Sequence, residues 1–287
     1  DNIPDYHFYD GHLKTFIEID KQNKLTLSGY WGKDDLDFSL DPDAPNTAKM
    51  RYDWGNQTAS ARWTHIFSSK LFSNFWVTQS RFDSDFNFEI FSERNQIKDL
   101  TVKGDLEYYA SQKFSNKFGF EIKQLSGFLK QDFPGGRVDA GDEATHYAGY
   151  FQTAWQPTPL WNIEAGLRYN YFAGSENYQN WSPRLSAKYR LSETASAKVA
   201  FGRYHQYLYK IPRTFIVDVW TTADQYYEGS SANHYVLGYQ KELFGDISFE
   251  AEAYLKDYTN IYVYDYFFYV DVQPTQYTDS GAPIYGD

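Results

Sequence analysis

Cysteine is absent from the 287 residues. That removes disulfide frameworks, thiolate zinc sites and cysteine nucleophiles together. Long apolar runs are missing too. Nothing approaches the roughly 18 consecutive residues that a transmembrane helix needs, and mean hydropathy is −0.66, so a helical membrane protein is excluded. Basic residues are scarce. Lys and Arg number 27 against 38 Asp and Glu, net charge is −11, and no Lys/Arg-rich run exists to meet a phosphate backbone, which excludes nucleic acid as a partner. The first residues, Asp1-Asn2-Ile3-Pro4-Asp5, have neither the basic start nor the apolar core of a signal peptide. They are expected to belong to a mature or internal portion of an exported protein.

What the chain does have is rings. Aromatics make up 20% of it, as 27 Tyr, 23 Phe and 8 Trp, a composition that favours strands and membrane interfaces in so polar a sequence. Alternating stretches are joined by tight turns at 20–24, 67–70, 111–116, 156–160, 191–195 and Phe244-Gly245-Asp246, and by long polar connections at about 34–50, 83–98, 130–143, 173–182, 205–231 and from 258 onward. Short turns at one end of a sheet and long loops at the other are the pattern of an all-β, antiparallel, up-and-down transmembrane β-barrel.

Alternation supplies the faces, because successive strand residues point to opposite sides. Leu100, Val102, Leu106 and Tyr108 oppose Lys103, Asp105 and Glu107; Ile163, Ala165, Leu167 and Tyr169 oppose Glu164 and Arg168; Phe249, Ala251 and Leu255 oppose Glu250, Glu252 and Lys256. Around the 191–195 turn, Leu185, Ala187, Val199 and Phe201 share one face, with Arg184, Lys188 and Lys198 on the other. A soluble sandwich also has one apolar face. Strand length separates the two, since membrane strands need about 9 to 11 residues against the 5 to 6 usual in globular domains. Twelve strands are expected, at roughly 8–20, 24–33, 51–66, 71–82, 99–111, 117–129, 144–156, 161–172, 183–191, 195–204, 232–243 and 247–257. Trp63, Phe67, Phe72, Phe114, Phe118, Trp155, Trp161, Phe244 and Phe249 flank the tight turns, where a periplasmic girdle belongs.

Several segments resemble TonB-dependent outer-membrane receptors. Tyr147 to Trp155 with Leu160 to Tyr169, which ends Gly-Leu-Arg-Tyr, is similar to a barrel hairpin of that family. Trp181 to Leu191 with Ala197 to Gln206 resembles the next, and His234 to Tyr239 with Ile247 to Tyr258 resembles further receptor strands. Trp54 to Trp63 with Lys70 to Phe75 is similar to members carrying an N-terminal carboxypeptidase-regulatory-like domain. The resemblance implies a barrel of about 22 strands around a plug. It also implies import of a scarce solute such as a siderophore, oligosaccharide or peptide by plug gating, with the TonB complex, outer-membrane lipid and a surface lipoprotein as partners. Residues 1–287 are expected to be one partial barrel domain whose plug and closing strands lie outside this sequence, because two open edges are not tolerated in lipid.

Candidate chemistry is sparse. Asp83-Ser84-Asp85-Phe86-Asn87 opens like a calcium loop, but Phe88 and Arg94 stand where Gly and Glu are needed. Glu250 and Glu252 share a face, as a carboxylate pair for glycoside hydrolysis would, yet Ser248 and Lys256 beside them suit a charged lumen wall. Pro134-Gly135-Gly136-Arg137 reads as a turn, and the six His show no paired metal spacing. No cofactor or catalytic residue is assigned. Solute contact is expected from Tyr204, His205, Tyr207, Tyr209, Trp220, Tyr226 and Tyr227 in the connection after strand ten, where rings, hydroxyls and acids gather; a loop packed on its neighbours is the other reading. Glu164, Arg168, Arg184, Lys188, Lys198, Glu250 and Glu252 are expected to face the lumen and plug, or to form a solvated wall. A passive porin, a barrel enzyme and a soluble carbohydrate-binding sheet stand as the alternative functions.

Overall fold

The computed structural model describes residues 4–39, 48–211, 219–226, 228–245, 247–262, 276–277 and 283–284. Within these, one antiparallel sheet of twelve strands follows chain order. Its members are β1 (Asp5–Glu18), β2 (Asn23–Ser39), β3 (Lys49–Ser68), β4 (Leu71–Phe88), β5 (Phe91–Ser111), β6 (Phe114–Phe133), β7 (Gly136–Trp155), β8 (Trp161–Ala173), β9 (Asn177–Arg190) and β10 (Ala195–Gln206), then β13 (Ser230–Glu242) and β14 (Ser248–Thr259). A small hairpin, β11 (Leu208–Ile211) with β12 (Val219–Thr222), interrupts the meander, and β15 (Gln276–Tyr277) pairs with β16 (Pro283–Ile284) apart from it. β1 and β14 are the edge strands.

The expected faces hold through the register. Val102 lies opposite both Val77 and Ile122, Phe151 opposite Phe118 and Leu167, and Val199 opposite Ala187 and Leu237. Among the described residues no second layer covers this apolar side: Leu167 is 45% exposed, Leu185 52%, Val199 52% and Leu237 59%. That excludes a sandwich, in which the same side chains would be buried between sheets. On β8 the outward positions run from Trp161 to Tyr171. At about 3.3 Å per residue and a tilt near 40°, ten residues rise about 25 Å, the height of a barrel's apolar band.

Rings bracket that band. At the tight-turn end, Trp161 packs on Tyr189 at 4.5 Å and Trp63 is 46% exposed; at the other, Tyr169 meets Trp181 at 4.9 Å and Tyr147 stacks near Tyr171 at 6.2 Å. Phe72 departs from the expected girdle. It lies opposite Glu107, and its ring stacks on Tyr109 at 5.7 Å on the inner face. Asp246, in the last tight turn, lies outside the described residues.

The expected long connections at 83–98 and 130–143 are instead strands almost throughout. β4 and β5 pair up to Phe88 and Phe91, and β6 and β7 pair up to Phe133 and Gly136. The turn between the latter has Pro134 first and Gly135 at φ +86°, the positive angle that a type II turn demands of its second central residue. Apolar alternation stops in these segments because the outward face leaves the bilayer, but backbone pairing continues with cross-strand charges in place of apolar pairs. Arg94 bonds its register partner Asp85 at 2.6 Å, and Arg137 lies 3.5 Å from its partner Asp132. Part of the 34–50 connection behaves alike: β2 continues to Ser39, with Lys33 3.0 Å from Asp35.

Candidate functional site

The inner face is polar and cross-linked. Asp105 on β5, nearly sealed from solvent, receives Lys117 of β6 at 3.2 Å and the Asn74 amide of β4 at 3.1 Å; Lys117 also reaches Glu107 at 2.7 Å. One level further from the tight turns, Arg168 of β8 bonds Glu121 at 2.8 Å and Asn170 at 2.9 Å, and Lys123 pairs with Asp99 at 3.3 Å. Buried charges persist only when paired in this way. A dry core would not hold so many.

The connection after β10 folds inward over this wall. Tyr207 stacks on Phe172 at 4.8 Å with 15° between the planes, and its hydroxyl accepts from the Asn180 amide at 2.9 Å. The Tyr209 hydroxyl donates to the Glu228 carbonyl at 2.7 Å, with the Gln206 carbonyl at 2.9 Å, and accepts from the Ser230 N–H at 2.6 Å. With Leu125, Ala144, Phe172 and Ala223, the two tyrosines form the only buried apolar cluster among the described residues. Burial pushes both phenols above their ordinary range. β12 docks against β5 to β7: the Trp220 backbone N–H donates to the side-chain oxygen of Asn95, itself fully buried, at 3.4 Å. Beside it, burial raises the Asp142 carboxyl, opposed by the Thr222 backbone N–H.

The loop residues singled out in the sequence therefore divide. Tyr207 and Tyr209 are 5% and 7% exposed and hold the loop together, whereas Tyr204 is 38% and Tyr226 75% exposed. His205 is half-buried, with its Nδ1 3.0 Å from the Ser182 hydroxyl, and Trp220 packs beside Phe82 at 6.3 Å. Tyr227 lies outside the described residues. The seven wall residues fall on the inner face of β8, β9, β10 and β14, as their alternation requires. Glu164, Lys188, Lys198, Glu250 and Glu252 line one open concavity of about 640 Å³, while Arg168 and Arg184 line a second of about 430 Å³ with Tyr204. Among the described residues, Arg168 alone of the seven forms an ion pair. Reading strands singly could not find Lys117 or Tyr150 as partners of Asp105, because that juxtaposition depends on register across three strands.

Exposed apolar bands, aromatic girdles and a wet inner wall define an outer-membrane β-barrel protein. The sequence model described as TonB dependent receptor-like, beta-barrel matches residues 4–286, and the chain belongs to that family of the bacterial outer membrane. No curated protein matches it. Among solved structures it is similar to the ferric yersiniabactin uptake receptor FyuA of Yersinia pestis, at TM-score 0.66 and 13% identity over 90% of this chain and 46% of that one. It is similar also to the alcaligin outer-membrane receptor FauA of Bordetella pertussis, at TM-score 0.63 and 10% identity over 98% and 48%. The RagAB peptide transporter gives TM-score 0.62 and 10% identity over 98% and 42%. The chain thus spans about half the length of these structures, and at such identities the likeness is one of fold.

Proposed function

We propose that the chain forms part of the barrel wall of an energy-coupled importer. A solute is captured at the loop end, beside Tyr204, His205, Trp220 and Tyr226, and passes along the charged wall when a plug held in the lumen is displaced through the TonB complex. The observation that carries this reading is the inner wall itself: a broad charged surface, hydrogen-bonded across β4 to β9 and roofed by the in-folded β11–β12 hairpin. The edges at β1 and β14 support a larger closed barrel, because an unpaired edge in hydrocarbon costs several kcal/mol per unsatisfied group. In this reading residues 1–287 are one partial barrel domain and plug and closing strands complete it. Glu164, Arg168, Arg184, Lys188, Lys198, Glu250 and Glu252 face the plug or the passing solute, and a surface lipoprotein meets the loops.

The solutes named for the similar structures, ferric siderophores and peptides, set the first probes, with an oligosaccharide beside them. Cells producing the intact receptor are expected to take up one of these, and to stop when the proton-motive force is collapsed. Uptake that persists without that force identifies a passive porin instead.

A further inference from the structure

We propose that the inner-wall recess lined by Arg168, Arg184 and Tyr204 is a seat for a carboxylate-bearing anionic solute, with Arg184 as its principal donor; this deepens the importer reading and rests on it. Arg184 projects from β9 into the lumen and is exposed. Among the described residues no carboxylate pairs with it. Its guanidinium lies 4.7 Å from the Tyr204 ring centre instead. Stacking on a ring face holds the planar group still and leaves its edge N–H donors free for two oxygens of one carboxylate.

The surroundings add to the positive potential. Lys103 and Arg168 both lie 5.8 Å from the centre of the Tyr150 ring, one cation from β5 and one from β8 brought to the same aromatic. Arg168 is balanced by Glu121, which also stands opposite Lys103 in the register, but among the described residues Lys103 makes no ion pair and lies over the Tyr150 and Trp76 rings. Lys117, at the same recess, is satisfied by Asp105 and Glu107. Among the described residues Glu164 is the one carboxylate lining the recess, and it makes no ion pair with Arg184. Among the described residues Arg184 and Lys103 thus form no ion pair, in a chain of net charge −11. Cations lining one recess of reduced dielectric attract an anion. Ser182 Oγ and the His205 ring, 3.0 Å apart at the upper rim, supply neutral hydrogen-bonding groups beside the charged ones.

Citrate is the probe, titrated calorimetrically into the intact receptor in detergent, with maltotriose as the uncharged control. Citrate is expected to bind and maltotriose not to compete. Losing the charge-assisted bonds in Arg184→Gln should weaken citrate roughly ten- to a hundredfold. Arg184→Lys, which keeps charge without the fork, should lose less, and Lys113→Gln at a tight turn should bind as the parent does. Should Arg184→Gln fail to assemble, Arg184→Lys carries the comparison. A parent that ignores citrate, or an Arg184 variant that binds it unchanged, overturns the seat. Energy-dependent uptake by a receptor blind to citrate removes the seat and leaves the importer standing. Citrate bound through Arg184 in a receptor whose uptake ignores the proton-motive force does the reverse.

Discussion

Placing one arginine at successive depths on the outer face probes whether lipid covers it. Leu167 sits between the two ring girdles on β8, opposite Phe151, and is 45% exposed with no layer of described residues over it. An arginine at the bilayer midplane of a barrel costs roughly 2 to 4 kcal/mol. At about 1.4 kcal/mol per decade, Leu167→Arg should therefore lower the folding equilibrium constant roughly 30- to 700-fold. Thr145→Arg lies at the top of the band, opposite Gln124 and Ala173, where the cost falls to about 0 to 1 kcal/mol. Gln152→Arg occupies the inner face at the level of Gly166 and should be close to neutral. The assay is urea unfolding of the intact receptor in phospholipid vesicles, followed by tryptophan fluorescence. Equal losses at Leu167 and Thr145 would refute the reasoning, since a protein core has no depth profile along a strand.

Tyr209→Phe removes the hydroxyl that ties Gln206, Glu228 and Ser230 together. Leaving such buried groups unsatisfied costs about 1 to 3 kcal/mol, so amides at 219–226 should exchange faster by one to two decades, roughly, while those of β5 and β6 keep their protection. Burial in the docked arrangement raises the Asp142 carboxyl above its ordinary value, against the Thr222 N–H, which lowers it. A group raised on docking favours the docked state most below its free pKa and loses that contribution as pH rises through the docked one. Protection at 219–226 should accordingly decline as pH climbs from the ordinary carboxylate range, and Asp142→Asn should flatten the profile; a profile rising with pH would contradict it. At the first tight turn the Asp20 carboxylate accepts backbone N–H bonds from Gln22 at 2.7 Å and Asn23 at 2.8 Å, and the Asn23 amide and Gln22 N–H hold it below its ordinary pKa. Ordering of the turn should survive acidification into the usual aspartate range and vanish only below it, as read from exchange at Gln22 and Asn23.

Faces and hairpins were legible because both are local. Leu100 to Tyr108 and Trp161 to Phe172 alternate cleanly, and turns such as Phe67-Ser68-Ser69-Lys70 interrupt the pattern where the chain reverses. The extracellular ribbons were not legible as strands, since Asp83, Asp85, Arg94 and Arg137 look like loop residues until register pairs them. Tyr207 and Tyr209 show the other limit. Tyrosines that bind a solute and tyrosines that anchor a loop have one composition, and only burial against Phe172 and Ala144 separates them. The inner-wall residues were found as a face, but not which of them pair, because Arg168 meets Glu121 across two strand boundaries.

One measurement bears on the central claim most directly: labelling the intact receptor in vesicles with a photoreactive group on a lipid acyl chain, then mapping the modified residues. Adducts should fall on Leu167, Leu185, Val199 and Leu237 and spare Arg168, Arg184 and Lys198, which a water-soluble reagent should reach. Adducts spread equally over both sets, or concentrated on the charged one, would contradict a sheet whose apolar side faces hydrocarbon.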